Sequence, residues 1–367
     1  MGRPDDTNGR QPMSTYDDPP TWTVPGDPAP MTRARAEAAL SALLDRAALT
    51  HAQVGDRFPL FAEPGTGRWT SSRRGSWTGG FWAGLLWLRA RVTGDAADRE
   101  AATRCTGRLA AMVDADTATR GLIFWYGTAL ADDPAAKALR DRAAHAVLAS
   151  YEPELGLVPW GSAFGGERLL ARVDGVPGIV PLLSTVKPEV AAAHLRRHLQ
   201  LCLAEPPFTW CLRYGTDAGW TPRDEPPPGW ARGPAWLLLA VADAVQHHLT
   251  GPDDDWCGPY EPADLLGVLA PATLRVPPAD ATYPDGPRDT SAAALTAFAL
   301  LKLGRREQAT VLLTQLVRDH LTEDGRLLDG CYDLGSGTAV RHELVWGSFF
   351  LACALAVLTG VIDAGEV

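Results

Sequence analysis

Apolar residues recur every three to four positions along most of the chain, and this spacing predicts helices. Clear alternation of apolar and polar residues is rare, and Phe208–Tyr214 is the best strand candidate. Weaker helical patterns cover Leu122–Leu130, Gly178–Ser184 and Pro262–Leu269. The stronger helical segments are Ala36–Ala48, Gly80–Val92, Ala97–Val113, Ala135–Ser150, Pro188–Leu203, Pro234–Leu249, Ser291–Leu303, Arg306–His320 and Trp346–Val361.

The pattern thus predicts about twelve helices, mostly paired and joined by Gly- and Pro-rich connections. Such helices can form a solenoid, a bundle or a closed toroid. A solenoid should show a sequence that repeats at a fixed period, and none is present. Asp289-Thr290-Ser291 stands at the start of the segment Ser291–Leu303, where a Ser or Asp oxygen can cap the first amide hydrogens of the helix. We therefore expect an all-α fold.

Composition favours one large helical domain. Apolar residues make up 46% of the 367 positions, and Ala and Leu dominate while Ile is sparse, which favours helix over sheet. Residues 1–30 are polar and lack the apolar segment of a signal peptide. We expect 1–30 to be a disordered extension and 31–367 to be a single domain. The six cysteines form no CxxC pair, as expected for free thiols in a cytoplasmic protein.

Charge and motifs exclude several classes of function. The net charge is −10 without a basic cluster, which argues against nucleic-acid binding. No run of 18 apolar residues predicts a membrane span. His194 and His198 have the spacing of a helical metal pair, but the arginines between them disfavour a cation. We expect no metal or cofactor, and a monomer or homodimer that binds a small sugar-type molecule, with or without a carboxylate.

Most of the 13 tryptophans lie in or beside predicted connections and helix starts. Connections at one end of a closed helical barrel would bring several of them around a central cavity, where indole rings stack on sugar rings. Filling a large core is the alternative for each of them. These tryptophans are Trp69, Trp77, Trp82, Trp125, Trp160, Trp210, Trp220, Trp230, Trp236, Trp256 and Trp346.

Four segments carry more specific information. They are G-S-W-T-G-G-F-W-A-G-L-L-W at 75–87, V-D-G-V-P-G-I-V-P-L-L at 173–183, G-W-A-R-G-P-A-W at 229–236, and R-D-T-S-A-A-A at 288–294 with L-V-W-G at 344–347. In this order and at these spacings they resemble the unsaturated uronyl hydrolases, which are families 88 and 105 of the glycoside hydrolases in the six-hairpin glycosidase superfamily. The resemblance runs from about Thr70 to Leu358 and implies an (α/α)6 barrel.

The resemblance also implies a reaction. In these families a carboxylic acid protonates C4 of a 4,5-unsaturated uronic acid, water adds at C5, and the hemiketal opens to release the sugar. The acid must hold a proton near neutral pH, which an apolar, aromatic pocket favours. Asp174 matches the catalytic aspartate of the family's segment. The alternative is that Asp174 caps the next helix.

Other positions match substrate-binding residues of the family. Arg232 and Trp236 share one face of a helix, where the guanidinium can fork onto a carboxylate and the indole can stack on the ring. The alternative for Arg232 is packing on Trp230. Trp77 and Trp82 are expected to form another wall of the pocket.

The chain also departs from the family. The usual His-Asp pair, whose aspartate is the partner of the acid, is replaced by Ala118-Thr119, and Asp114 and Asp116 are offset from that position. Cys211 stands where a histidine is expected, and Ser348 stands where an aspartate often follows Trp-Gly. We include Thr119, Cys211, His342 and Tyr214 among the candidate substrate-binding residues.

Loss of the partner carboxylate leaves three hypotheses. The first is a hydrolase of unsaturated or otherwise modified uronic acid glycosides with Asp174 as acid or base, in sugar breakdown or in secondary metabolism. The second is a lyase, isomerase or cyclase-like enzyme that acts on a sugar-containing metabolite. The third is a non-catalytic carbohydrate-binding protein. A carboxylate that replaces the missing one, with Asp114, Asp116 and Glu343 as candidates, would favour the first.

Overall fold

The computed structural model describes residues 31–249, 262–271 and 273–367. The expected extension 1–30 and Trp256 lie outside these ranges. Twelve α-helices are present within the described ranges. They are α1 (Arg33–Val54), α2 (Gly79–Thr93), α3 (Ala96–Arg108), α4 (Arg120–Thr128), α5 (Pro134–Leu148), α6 (Ile179–Ser184), α7 (Pro188–Cys202), α8 (Arg232–Gln246), α9 (Pro262–Leu269), α10 (Thr290–Lys302), α11 (Arg306–Gln315) and α12 (Val345–Thr359).

The even-numbered helices form a closed ring, which we call the inner ring. In chain order each of α2, α4, α6, α8, α10 and α12 contacts the next, and α12 returns to contact α2. The odd-numbered helices pack outside this ring. In chain order, α1 contacts α12 and α2, α3 contacts α2, α5 contacts α4 and α6, α7 contacts α6 and α8, α9 contacts α8, and α11 contacts α10 and α12. This arrangement is the (α/α)6 barrel, so the predicted fold class is confirmed.

The inner helices are enclosed because they are apolar on all sides. Every residue of α10 is buried, and α12 is buried at nearly every position. A helix without a polar face has to be surrounded by protein. The outer helices α1 and α7 instead bury one stripe of residues. No helix in the described part of the chain is long and apolar enough to cross a membrane.

Seven short strands lie within the described ranges, all between an outer helix and the next inner helix. They build two antiparallel sheets, in the orders β2-β1-β7-β6 and β3-β4-β5. This position puts both sheets at the end of the barrel where the inner helices begin. The strands are β1 (Phe58–Ala62), β2 (Trp69–Ser72), β3 (Leu170–Arg172), β4 (Cys211–Gly215), β5 (Gly219–Pro222), β6 (Gly330–Asp333) and β7 (Thr338–Leu344).

Glycines allow α2 and α4 to pack closely. A Cβ atom on Gly80 would lie 2.3 Å from the carbonyl oxygens of Leu122 and Ile123, and one on Gly84 would lie 2.4 Å from that of Tyr126. The two glycines are four residues apart and therefore share one face of α2. Gly80 and Gly84 of the 75–87 segment thus serve the contact between two inner helices.

We expect Gly80→Ala to destabilise the protein by about 2 kcal/mol, because its methyl group would overlap the α4 backbone, which cannot move aside. Gly107→Ala in α3 is the matched control, since nothing lies within 4 Å of its added Cβ. That change should stabilise the helix by up to about 1 kcal/mol. Denaturant unfolding of both variants measures the difference, and equal stabilities would contradict the close packing.

Candidate active site

A cavity of about 870 Å³ opens where the inner helices begin. Its walls combine aromatic rings with charged side chains, as in pockets that bind polar ring compounds. The aromatic members are Trp77, Trp160, Phe164, Trp230, Trp236, Tyr283 and Tyr332. The charged members are Arg172, Asp174, Glu225, Arg232, Asp280 and Asp333.

Asp174 lies in a 3-10 turn, Val173–Gly175, between β3 and α6. Arg172 donates from Nε and Nη2 to the two carboxylate oxygens of Asp174, at 3.0 Å each. The N-cap of α6 is Gly178, so Asp174 does not cap that helix. The alternative proposed from the sequence for Asp174 is therefore not observed.

The Arg172 guanidinium lies over the ring of Trp160, with 4.5 Å between its Cζ and the ring centroid. Such stacking holds a guanidinium flat and leaves its edges free for hydrogen bonds. Burial opposes the charge of Arg172, but the adjacent Asp174 outweighs this effect and raises the pKa of Arg172. The pair is therefore an ion pair on an aromatic support at the cavity wall.

Backbone contacts hold this segment in place. The Ala118 amide donates to the Trp160 carbonyl at 2.9 Å, and the Val173 amide donates to the Trp210 carbonyl at 3.1 Å. A Cβ on Gly175 would come within 2.9 Å of Ala118 Cβ. The turn that carries Asp174 is thus packed directly against the connection that leads into α4.

Thr119 precedes α4 and lines the cavity. Its hydroxyl lies 2.9 Å from that of Thr117, so one hydroxyl donates to the other. Arg120 fixes the preceding turn from behind by donating to the Thr117 carbonyl at 3.0 Å. The cavity therefore has a neutral hydroxyl where the family resemblance places an acid.

Arg232 begins α8 and forms a buried ion pair with Asp289, the N-cap of α10. Its Nη1 also donates to the Cys331 carbonyl, and its Nη2 donates to the Tyr332 carbonyl at 2.6 Å. The guanidinium lies 5.1 Å from the ring centroid of Trp230. Arg232 lines the cavity, but both of its Nη groups are already bound to protein oxygens.

Trp77 and Trp236 form further parts of the wall. Trp77 Nε1 donates to the Tyr332 hydroxyl at 3.0 Å, and its ring packs on Trp346 with 4.8 Å between centroids. Trp236 is almost fully buried, and its ring stacks near Phe81. One indole is therefore held by a hydrogen bond and the other by packing.

Comparison with known proteins is consistent with this architecture. No family model matches the chain. The unsaturated glucuronyl hydrolase of Bacillus sp. (strain GL1) is 25% identical over 362 residues, which are 83% of this chain and 91% of that protein. The crystal structure of the Bacillus sp. GL1 enzyme has a TM-score of 0.75 at 22% identity, over 88% of this chain and 96% of that one. The similarity extends over most of both chains and shows a shared (α/α)6-barrel fold.

Two further structures extend the comparison. The unsaturated glucuronyl hydrolase of Streptococcus agalactiae has a TM-score of 0.76 at 18% identity, over 92% of this chain and 95% of that chain. A variant of that enzyme was solved in complex with dGlcA-GalNAc6S and has a TM-score of 0.70 at 17% identity, over 90% and 93% of the two chains. These similarities establish a shared fold.

Five of the nine predicted site residues line the cavity, namely Asp174, Trp77, Arg232, Trp236 and Thr119. Trp82 does not, because it lies on the side of α2 that packs towards α1, beside Leu43 and Ala47. Cys211 is buried in β4, and burial raises the pKa of its thiol to about 11.

His342 and Tyr214 also lie away from the cavity. His342 is on β7, where it packs edge-on against Phe61 and its Nδ1 lies 2.8 Å from the Val340 carbonyl oxygen. Tyr214 packs against Trp220 in a separate small cluster. Neither side chain is therefore among those that line the cavity.

None of the three candidate replacement carboxylates lines the cavity in the described part of the chain. Asp116 accepts hydrogen bonds from Ser162, and Asp114 is exposed. The cavity instead contains Glu225, which has no hydrogen-bond or ion-pair partner among the described residues. Sequence reasoning missed it because the 222–229 connection matches none of the four segments.

His194 and His198 are buried and pack edge to face, with 4.5 Å between their ring centroids. Burial lowers the pKa of His198 to about 4 and that of His194 well below its ordinary value. His194 Nδ1 accepts a hydrogen bond from the Val158 amide at 3.1 Å. The pair is thus a neutral part of the core behind the Asp174 turn.

Glu343 gives a prediction about stability. It is buried beside Arg46, whose Nη2 donates to its carboxylate at 2.8 Å. Burial raises the pKa of Glu343 to about 7, although Arg46 opposes this shift. In the folded protein Glu343 therefore keeps a proton that the unfolded chain releases above pH 4.5, the ordinary pKa of a glutamate. The free energy of unfolding should consequently fall as the pH rises from about 5 to about 7.

Glu343→Gln should remove this dependence, on the order of 1 kcal/mol per pH unit between those limits. Denaturant unfolding of both proteins at several pH values in that window provides the measurement. The same pH dependence in wild type and variant would show that Glu343 stays ionised beside Arg46.

Proposed function

We propose that this protein hydrolyses glycosides of 4,5-unsaturated uronic acids, with Asp174 as the proton donor. The observation that supports this most is the position of Asp174, on the wall of an aromatic cavity in a barrel shared with unsaturated glucuronyl hydrolases. The unsaturated glucuronyl hydrolase that is related in sequence aligns with 83% of this chain.

The proposed reaction begins with proton transfer from the Asp174 carboxyl group to C4, which uses the electron pair of the C4–C5 double bond. The positive charge is then shared between C5 and the ring oxygen. Water adds at C5 and returns a proton to the Asp174 carboxylate. The hemiketal opens to a ketone, and the hemiacetal left at C1 collapses to an aldehyde and releases the alcohol. One water molecule is consumed, and Asp174 ends protonated as it began.

The cavity supplies two further contributions to this reaction. Trp77, which is only partly buried, presents aromatic surface on which a sugar ring can stack, and the buried Trp236 supports the wall beside it. Thr119 offers a hydroxyl that can accept or donate a hydrogen bond to the attacking water. Because Thr119 is neutral, it can orient the water but cannot hold a proton on Asp174 by charge repulsion.

The Arg172 contact favours a second candidate function. A carboxylate held by a guanidinium is suited to act as a base, so Asp174 could remove a proton beside the substrate carboxylate and create the double bond. The protein would then be a lyase. The two reactions change ultraviolet absorbance in opposite directions, because hydration removes the conjugated chromophore and elimination forms it.

We expect Asp174→Asn to lower kcat on an unsaturated glucuronide at least a hundredfold, because an amide cannot transfer the proton. Loss of ultraviolet absorbance follows the reaction. Asp114→Asn is the matched control, since Asp114 is exposed and outside the cavity, and its kcat should stay within about threefold.

Three results would contradict the proposal. Full activity of Asp174→Asn would remove Asp174 from the mechanism. A rise of absorbance with saturated uronides would favour the lyase. Binding of unsaturated uronides without any product by mass spectrometry would favour a non-catalytic sugar-binding protein.

A further inference from the structure

We infer that Arg172 binds the carboxylate of the substrate, and that this carboxylate takes the electrostatic place of the partner carboxylate that Thr119 replaces. The inference rests on the proposed function, because it concerns a uronic acid in the same cavity. It assigns the recognition of the acid group to a residue outside the four recognised segments.

Arg172 has the donors that this role requires. Its Nε and one Nη2 hydrogen are bound to Asp174, while Nη1 has no partner among the described residues. Arg172 lines the cavity, and its plane is fixed by Trp160. A guanidinium that is bound along one edge can still receive a second carboxylate along the adjacent edge, through two parallel hydrogen bonds.

Arg232, the other cavity arginine, is less suited to this role. Asp289 balances its charge, and the carbonyl oxygens of Cys331 and Tyr332 occupy its Nη groups. Three of the five N–H donors of Arg232 are thus occupied, against two of five in Arg172. The Arg232 side chain is 6% exposed and that of Arg172 is 23% exposed, so Arg172 is the better anchor.

Binding at Arg172 would also place the reacting atom. The substrate carboxylate is attached to C5, and C4 is the neighbouring ring atom. A guanidinium that holds this carboxylate on one edge and Asp174 on the adjacent edge therefore brings Asp174 beside C4. Arg172 would thus fix the distance between the acid and the carbon that it protonates.

The same arrangement explains how Asp174 can obtain its proton. Two carboxylates on one guanidinium repel each other, and a proton on one of them relieves the repulsion. The other cations nearby have partners of their own. Arg232 in the cavity is paired with Asp289, Arg223 faces Glu167, and Arg197, which acts on His198, lies over the ring of Trp220. The remaining ionisable neighbours of the turn are neutral or acidic. These neighbours are His194 and His198, whose pKa values burial lowers, Cys211, whose pKa burial raises, and the cavity residue Glu225.

The first test compares an unsaturated glucuronide with its methyl ester, which lacks the negative charge. Wild type should prefer the free acid in kcat/KM by roughly ten- to a hundredfold, the range for a charged hydrogen-bonded pair. Arg172→Gln should abolish this preference, and Arg172→Lys should keep only part of it because lysine lacks the fork.

Arg213→Gln is the matched control. Arg213 lies on the adjacent strand β4, is exposed and faces Glu167 at 3.4 Å, outside the cavity. This variant should retain the wild-type preference. If Arg172 only supports Asp174, Arg172→Gln will slow both compounds equally and leave their ratio unchanged, which would overturn the inference.

The second test is calorimetry of binding in buffers of different ionisation enthalpy near neutral pH. The free acid should bind with uptake of up to one proton, the methyl ester should bind without uptake, and Asp174→Asn should bind the acid without uptake. If wild type binds the acid more tightly than the ester but forms no product, the proposed function fails and the inference stands. Equal affinities, uptake with the ester, or no binding of either compound would overturn the inference.

Discussion

The inner ring is buried on every side, and this constraint determines where the chemistry of the protein can lie. Helices such as α10 and α12 expose no polar face, so charged and hydrogen-bonding groups must gather at the helix ends. All the strand-bearing connections enter the inner ring at the same end. The residues found at the starts of the inner helices are Trp77, Thr119, Asp174, Arg232, Asp289 and Trp346.

Much of the fold could be predicted from the sequence, because the spacing of apolar residues and the residues that start a helix are local properties of the chain. All twelve helical segments correspond to helices within the described ranges, and of the two capping residues considered, Ser and Asp, it is Asp289 that caps α10. Closure of the ring came from the family resemblance, since periodicity does not say which helices touch. The strands were largely missed because they are three to seven residues long, too short for alternation to be recognised.

The site was less predictable because it depends on side-chain direction and pairing. Trp77 and Trp82 belong to one segment, but only Trp77 lines the cavity. Trp77 lies in the turn before α2, whereas Trp82 lies within α2 and is buried in the core. The Arg172–Asp174 pair could have been predicted from the sequence. Residues two apart at the end of a strand lie on the same face, so R-x-D places opposite charges side by side. The position of Glu225 could not have been predicted in this way, because its connection has no regular structure.

The two arginine–aspartate pairs of the cavity differ in how far the guanidinium remains accessible to a ligand, and this difference affects substrate specificity. Arg232 and Asp289 join α8 to α10 and are nearly enclosed, whereas Arg172 keeps an edge towards the cavity. If the second carboxylate of the reaction comes from the substrate, an uncharged sugar can bind but does not help Asp174 to take up a proton. Recognition of the acid group is then expressed in the transition state, as differential binding requires. Replacement of the partner aspartate by Thr119 would make catalysis conditional on the charge of the substrate.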